Sequence, residues 1–151
     1  MKILFVCLGN ICRSPLAEGV MKKMCAERGL DWEIDSAGLI DYHKGELPDE
    51  RMRRAAKDRG YTLTHRSRPV KESDFSYFDL IIGMDDYNIR SLRQDAPKSC
   101  LQKIRIISEF FVNVKGYSTV PDPYNRNMEA FYNTVTLLED ACEGIIKEFS
   151  N

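Results

Sequence analysis

The sequence lacks any hydrophobic run long enough to cross a membrane, and its charges nearly cancel. With 22 basic and 23 acidic residues among 151, the formal net charge is −1. A membrane helix needs about 20 consecutive apolar residues, and nucleic-acid binding usually comes with a clear basic excess. We therefore expect neither a membrane nor a nucleic-acid partner. The first apolar run is also too short for a signal peptide, because Gly9, Asn10 and Arg13 come soon after it.

Cysteine is present but its pattern does not indicate a disulfide framework. Five cysteines without an export signal favour a reducing, cytoplasmic location. Cys25 and Cys142 fall on apolar helix stripes and are expected in the core, whereas Cys100 is expected in a loop. Internal repeats and long linkers are missing too, so we expect residues 1–151 to form a single domain. We expect this domain to be monomeric or weakly self-associating.

A cysteine six positions before an arginine, across residues 7–13, is the most informative feature that is present. Five cysteines and twelve arginines would give about 0.4 such pairs by chance, so the flanking residues decide what the pair means. Residues 2–6 form a short, mostly apolar run that is typical of a strand buried in a parallel sheet. Ser14 and Pro15 then predict the N-cap and first residue of a helix. The sequence predicts a strand, a tight loop and a helix.

A loop of this kind is suited to binding an anion. Its main-chain N–H groups and the following helix N-terminus supply positive potential, and Gly9 permits backbone conformations that other residues resist. Arg13 can bind two phosphate oxygens at once. The same field favours Cys7 as a thiolate, to which Ser14 can donate its hydroxyl. These residues predict a thiolate nucleophile inside a phosphate-binding loop.

The rest of the apolar pattern alternates between strand and helix. Further strands are expected at residues 32–36, 80–84 and 103–107, and helices at residues 15–28, 48–59, 85–93 and 128–149. Glu18 is expected on the solvent face of the first helix, and the arginines of the second helix on a solvated basic face. The alternation predicts a three-layer α/β/α fold with a parallel sheet.

Five segments together resemble the low-molecular-weight protein tyrosine phosphatases. They are the loop at residues 7–15, Ser36-Ala37-Gly38, residues 42–45, Met84-Asp85 and Asp122-Pro123-Tyr124, in the same order over essentially the whole chain. The resemblance implies a central four-stranded parallel sheet in the order 2-1-3-4. It also implies hydrolysis of phosphotyrosine without a metal or cofactor, on tyrosine-phosphorylated proteins or small aryl phosphates.

The resemblance assigns roles to individual residues. Cys7 is expected to be the nucleophile, Arg13 to bind phosphate, and Asp122 to act as general acid and then general base. Substrate- and phosphate-binding positions are expected at Leu8, Gly9, Asn10, Ile11, Cys12, Ser14, Tyr42 and Tyr124. Supporting positions are Ser36 and His65, which would hold Asn10, and Asp85, which would lie near the general acid or cap its helix.

At two positions, the resemblance does not settle the role of the residue. Many relatives carry a second aromatic residue where Asn125 follows Tyr124, so one wall of the substrate pocket is not accounted for. Cys12 lies five residues after Cys7, a spacing that suggests a reversible, redox-controlled disulfide. The alternative is that Cys12 is simply a small residue in a tight loop.

Three other functions are weighed against this one. Arsenate reductases need further redox cysteines near the third strand, and residues 60–99 contain none. Protein-arginine phosphatases carry a small threonine where Ile11 stands, so the bulkier side chain favours a planar phenyl phosphate. A non-catalytic phosphotyrosine-binding module would be indicated by the loss of Cys7, Arg13 or Asp122, and all three are present.

Overall fold

A single parallel sheet forms the centre of the computed structural model, which describes residues 1–150. Its strands are β1 (Lys2–Cys7), β2 (Glu33–Gly38), β3 (Leu80–Gly83) and β4 (Ile104–Ile106). They lie in the order β2-β1-β3-β4, and every neighbouring pair is parallel. The predicted sheet order is therefore confirmed.

Helices cover both faces of this sheet. They are α1 (Arg13–Glu27), α2 (Glu50–Asp58), α3 (Glu72–Tyr77), α4 (Asp86–Asp95) and α5 (Met128–Phe149), with two short 3-10 helices at Lys98–Lys103 and Ile107–Phe110. The three-layer arrangement is confirmed. Within residues 1–150, no helix combines the length and the apolar character that a membrane crossing requires.

The alternation of side chains along β1 explains why two cores form. Ile3 and Phe5 pack with residues of α1, α2 and α5 on one face. Leu4 and Val6 pack with residues of α3 and α4 on the other. Successive side chains of a strand point to opposite faces, and all four are fully buried. A strand buried on both faces must be apolar throughout, as residues 3–6 are.

Close packing of α5 depends on one glycine. A Cβ on Gly144 would lie 1.7 Å from the main-chain oxygen of Phe110, so no larger residue fits there without moving the backbone. Cys142, two residues earlier, is fully buried, and Cys25 on α1 is buried as well. Their predicted place in the core is confirmed.

Three local predictions are wrong. Ser14 is not the N-cap of α1: the first helical bond runs from Leu16 N to Cys12 O, so the helix begins at Arg13 with Cys12 as N-cap. Glu18 is buried rather than solvated, because it bonds to polar groups beside β2. Cys100 lies in a 3-10 helix and is buried in the second core, not in a loop.

Candidate active site

The loop after β1 turns its carbonyl groups outward. Leu8 O accepts hydrogen bonds from Leu39 N and Ile40 N, and Ile11 O accepts one from Asp49 N. Gly9 O accepts one from the hydroxyl of Ser67. Among the described residues, no protein acceptor faces the main-chain N–H groups of residues 8–12. A concave run of free N–H groups at a helix N-terminus binds anions.

Cys7 lies at the floor of this loop as the last residue of β1 and is 2% exposed. Its Sγ is 3.0 Å from Ser14 Oγ. Cys12, at the start of α1, is also buried. Burial raises the pKa of the Cys12 thiol, and the negative charge of Cys7 raises it further. The Cys12 thiol therefore keeps its proton.

Asn10 ties the loop to its surroundings. It has a left-handed backbone (φ 56°), which asparagine tolerates better than most residues. Its side-chain Nδ2 donates to Ser14 Oγ (2.7 Å) and Ser36 Oγ (3.0 Å). Its Oδ1 accepts from Arg68 N (3.0 Å) and lies 2.9 Å from His65 Nε2. Because the Arg68 main-chain N–H can only donate, this contact fixes which amide atom is oxygen.

Glu18 extends the same network, a role that the sequence did not predict. Its Oε1 accepts from Ser36 Oγ (2.7 Å) and lies 3.1 Å from His65 Nδ1. Its Oε2 accepts from Lys22 Nζ. The pair with Lys22 is an ordinary surface pattern on a helix, and no sequence signal marked the other two partners, which lie 18 and 47 positions away.

Glu18, Asp35 and His65 are also the group of side chains best placed to hold a metal ion, with ligand atoms all within 4.8 Å of one another. Both carboxylates already have cationic partners, however. Lys22 pairs with Glu18, and Arg68 pairs with Asp35 at 3.0 Å. We therefore interpret the group as an ion-pair network that supports Asn10.

Arg13 is buried beside the loop, with 2% of its surface exposed. Its Nη1 donates to Asp85 Oδ2 (2.7 Å) and to Val120 O (3.0 Å). Burial lowers the pKa of Arg13, but the negative charge of Cys7 and the hydrogen bond to Asp85 outweigh it, so the net direction is upward. The guanidinium is thus a fixed cation held next to the sulfur.

Asp85 caps its helix, which is one of the two predicted alternatives, and it also contacts Arg13. Its Oδ2 receives the bond from Arg13, while its Oδ1 accepts from Asn88 N as the N-cap of α4. The two oxygens of one carboxylate therefore orient the arginine and the helix together.

Asp122 stands at the open side of the site. Its Oδ2 is 3.5 Å from Arg13 Nη2, and its side chain is 43% exposed. Its Oδ1 accepts from Tyr124 N. The preceding residue pair is anchored to the sheet, since Val120 N donates to Met84 O. The carboxylate can thus reach both solvent and the mouth of the loop.

A cavity of about 250 Å³ opens above Cys7. It is lined by Cys7, Leu8, Gly9, Ile11, Cys12, Arg13, Ile40, Tyr42, His43, Asp122 and Tyr124. Nine of these positions were predicted, and Ile40 and His43 were not. Five predicted residues are not part of the lining. Ser14 and Asp85 contact the lining residues Cys7 and Arg13 directly. Ser36 and His65 contact Asn10, which is bonded to Ser14.

His43 supplies an aromatic surface beside the two predicted tyrosines. Its ring centroid is 4.8 Å from that of Tyr42, edge to face, and 6.3 Å from that of Tyr124. Its Nδ1 lies 3.2 Å from Glu46 Oε1. The wall that Asn125 leaves unexplained is therefore provided from another segment, next to Tyr42 in sequence.

Arg51, expected on a solvated basic face, instead packs against the site. It bonds to Asp49 through two nitrogens and lies 5.5 Å from the ring centroid of Tyr124 and 4.7 Å from that of Phe131. Burial raises the pKa of Asp49, but its hydrogen bonds with Arg51 outweigh burial and lower it overall. The Arg51 side chain is 40% exposed, so the predicted solvated face is partly covered at this position.

The chain is similar in sequence to known proteins from different organisms. The family model for low molecular weight phosphotyrosine protein phosphatases matches residues 2–151. A Synechocystis chain described as a putative low molecular weight protein-tyrosine-phosphatase is 44% identical over 149 residues, covering 97% of this chain and 94% of that one.

Solved structures of known phosphatases are also similar to this chain. A protein tyrosine phosphatase from Entamoeba histolytica superposes with a TM-score of 0.95 at 46% identity, covering 98% of this chain and 96% of that one. A drosophila arginine phosphatase superposes with a TM-score of 0.92 at 32% identity, covering 100% and 99%. The match extends over the sheet, the anion-binding loop and the aspartate-bearing loop alike, and the chain belongs to the low molecular weight phosphotyrosine protein phosphatase family of hydrolases.

Proposed function

We propose that this chain hydrolyses phosphotyrosine and other aryl phosphates through a phosphocysteine intermediate. The observation that carries the proposal is the placement of Cys7 on the floor of a cavity whose surrounding N–H groups are free, with Arg13 beside it and Asp122 at its mouth. A phosphoryl group needs positioning and stabilisation of negative charge more than it needs new covalent chemistry. The free N–H groups and the guanidinium supply both.

In the first step, the Cys7 thiolate attacks phosphorus opposite the phenolic oxygen. The S–P bond forms while the P–O bond breaks, and its electron pair goes to the phenolic oxygen. Asp122, as the carboxylic acid, gives that oxygen a proton, so tyrosine leaves as a neutral phenol. The products are phosphocysteine and an Asp122 carboxylate.

In the second step, a water molecule attacks the phosphocysteine. Asp122 takes a proton from the water, the new P–O bond forms and the S–P bond breaks. The electron pair returns to Cys7, and the thiolate leaves with a hydrogen bond from Ser14 Oγ, which lies 3.0 Å away. Inorganic phosphate departs and the starting state is restored. A metal or cofactor has no step to perform in this scheme.

The walls of the cavity favour tyrosine over serine. Tyr42, His43 and Tyr124 present aromatic surfaces that can stack on a phenyl ring. A phosphoserine side chain is shorter and would leave these surfaces uncovered. The substrates that fit best are tyrosine-phosphorylated proteins and small aryl phosphates.

Phosphoarginine is the competing substrate, because the drosophila relative is described as an arginine phosphatase. Ile11 lines the cavity and is 7% exposed. Its branched side chain is bulkier than the threonine expected in protein-arginine phosphatases, which favours a planar phenyl phosphate. The cytoplasmic location and the monomeric or weakly associating state stay predictions from the sequence.

The decisive experiment compares wild type with Cys7→Ser on p-nitrophenyl phosphate, with and without a chelator. We expect activity that the chelator leaves unchanged and that the substitution abolishes. Turnover by Cys7→Ser would remove the sulfur from the mechanism. Parallel assays with phosphotyrosine and phosphoarginine peptides should favour phosphotyrosine, and a large preference for phosphoarginine would overturn the substrate assignment.

A further inference from the structure

The carbonyl of Gly9 is held differently from its neighbours in the anion-binding loop. Leu8 O and Ile11 O accept main-chain N–H groups, contacts that almost any residue can provide. Gly9 O instead accepts from the side-chain hydroxyl of Ser67, at 3.1 Å. In the described part of the chain it has no other donor. The orientation of this one peptide group therefore depends on a residue type.

The geometry points to Ser67 as a positioning residue that keeps the Gly9–Asn10 peptide oriented for phosphate binding. The inference rests on the proposed function, since it concerns the same anion-binding loop. A trans peptide is planar, so its C=O and N–H point in opposite directions. While Ser67 holds Gly9 O on the outer side, Asn10 N–H must point inward, toward the site of the phosphate.

Without such a restraint, this peptide group could rotate to the opposite orientation at little energetic cost. Gly9 has no side chain and adopts many backbone conformations at little cost. Asn10 is already in the left-handed region, with φ of 56°. A flipped peptide would turn a carbonyl oxygen toward the phosphate and replace an attractive contact with a repulsive one. The hydrogen bond from Ser67 to Gly9 O stabilises the orientation in which Asn10 N–H points toward the phosphate.

Ser67 is itself rigidly placed. It is 3% exposed. Its N–H donates to Glu46 O, and its carbonyl accepts from Gly45 N, each at 2.8 Å. Gly45 and Glu46 lie at the end of the segment that carries Tyr42 and His43. Ser67 thus connects the aromatic wall of the cavity to the anion-binding loop.

The neighbours of Ser67 hold the same loop through other atoms. His65 and Arg68 contact the side chain of Asn10, at 2.9 and 3.0 Å. They fix where Asn10 lies, but they do not touch the peptide group before it. The role inferred for Ser67 is therefore separate from that of the Asn10 network.

The test compares Ser67→Ala with Ser67→Thr, which keeps a hydroxyl, and with Thr134→Val. Thr134 is a matched control, because its buried hydroxyl also donates to one main-chain carbonyl, that of Ala130, at 2.8 Å. The readouts are the inhibition constant of inorganic phosphate and kcat/KM with p-nitrophenyl phosphate. For Ser67→Ala we expect roughly tenfold weaker phosphate inhibition and a similar loss of kcat/KM, because only part of the population keeps the binding orientation. Ser67→Thr should recover most of both, and Thr134→Val should change neither.

Unchanged phosphate inhibition in Ser67→Ala would overturn the inference and leave Ser67 a purely structural residue. A second measurement does not depend on that variant folding: the amide signal of Asn10 is followed by NMR while phosphate is added to the wild-type protein. A large downfield shift of this N–H is expected, and an unresponsive signal would equally overturn the inference.

Failure of the proposed function would look different from failure of this inference. Phosphate binding to Cys7→Ser, measured by calorimetry with and without Ser67→Ala, requires no turnover. A loss of binding on adding Ser67→Ala supports the positioning role even in an inactive protein. Inactivity of the wild type toward aryl phosphates would reject the function but leave this comparison intact.

Discussion

Asn10 donates its side-chain amide to Ser14 Oγ at 2.7 Å, which leaves the serine hydrogen free to point to another acceptor. Ser14 Oγ lies 3.0 Å from Cys7 Sγ. In the proposed mechanism Cys7 reacts as a thiolate, which has no hydrogen to give, so the hydroxyl would be the donor in that pair. Under the proposed mechanism, the serine would stabilise negative charge on sulfur both before attack and when the thiolate leaves phosphocysteine.

Ser14→Ala should therefore slow the second chemical step most. Loss of a hydrogen bond to a charged group costs about 1.5–3 kcal/mol, which corresponds to a fall in kcat of roughly 10- to 150-fold. Pre-steady-state assays with p-nitrophenyl phosphate should show a burst of nitrophenol followed by slow turnover. Ser76→Ala, which removes an exposed serine hydroxyl bonded to Ser73 O, serves as control. Slow turnover without a burst would contradict the assigned step.

Asp122→Asn should lower kcat in proportion to how much the leaving group needs a proton. General acid catalysis contributes about 10²- to 10⁴-fold, and we expect a loss in that range for phenyl phosphate or phosphotyrosine. Nitrophenolate leaves more easily without protonation, so the loss with p-nitrophenyl phosphate should be smaller. Asp41→Asn removes an exposed carboxylate in a neighbouring loop and should have little effect. Equal losses for both leaving groups would argue against Asp122 as the acid.

Glu18→Ala should destabilise the fold and loosen the Asn10 network. The Glu18 side chain is 7% exposed and interacts with His65 and Lys22. The substitution leaves the buried Ser36 hydroxyl without its acceptor, which costs about 1–3 kcal/mol. Urea denaturation should show a lower midpoint at an unchanged slope. Glu27→Ala, an exposed glutamate on the same helix, should stay within about 0.5 kcal/mol of wild type. Equal stabilities of the two variants would contradict the buried role.

Glu18 also illustrates which part of the structure the sequence could not reveal. The α5 helix was predicted with both ends correct because its burial repeats every three to four residues, a signal that is local. Glu18 sits among charged residues of α1, and its partners come from β2 and from a segment far along the chain. The charge pattern of one helix carries no information about such partners.

Short elements were missed for a related reason. The helix α3 has six residues, of which Phe75 is the buried apolar one, so no periodicity can be measured. Its start is stabilised by Asp74, whose side chain accepts from Lys71 N. The nine predicted lining residues of the cavity came from motif recognition. His43 lies in the recognised segment at residues 42–45 but was given no role, and Ile40 lies in no recognised segment, so the fold was needed to place both.

Asp140→Asn should weaken the fold in a pH-dependent way. Asp140 accepts N–H groups from Val112, Asn113 and Val114. Burial raises its pKa, but these hydrogen bonds outweigh burial, so the folded pKa lies below the ordinary value of 3.8. The carboxylate therefore stabilises the folded state fully above pH 3.8, and this contribution is lost as the pH falls through the folded pKa.

At pH 6, Asp140→Asn should be less stable than wild type by about 1 kcal/mol. The difference should shrink progressively below pH 3.8. Urea denaturation over this pH range measures it, and Asp31→Asn, an exposed loop aspartate, gives the baseline. A difference that stays constant down to pH 2 would show that the charge of Asp140 is not what the three N–H groups stabilise.

Cys12→Ser should convert reversible oxidation of the enzyme into irreversible loss. Peroxide would oxidise the Cys7 thiolate to a sulfenic acid; Cys12 would then attack that sulfur, form the disulfide and release water. Burial and the charge of Cys7 raise the pKa of Cys12, so the protonated Cys12 thiol reacts slowly with peroxide. Dithiothreitol would reduce the disulfide and restore activity.

The measurement is recovery of p-nitrophenyl phosphate hydrolysis after graded peroxide treatment and dithiothreitol. Wild type should recover most of its activity, whereas Cys12→Ser should lose it as Cys7 proceeds to the sulfinic acid. Cys100→Ser provides the control, because Cys100 is buried in the other core and belongs to no part of the site. Intact-mass analysis should show wild type losing two hydrogens and Cys12→Ser gaining two oxygens. Full recovery of Cys12→Ser would mean that Cys12 is merely a small residue in a tight loop.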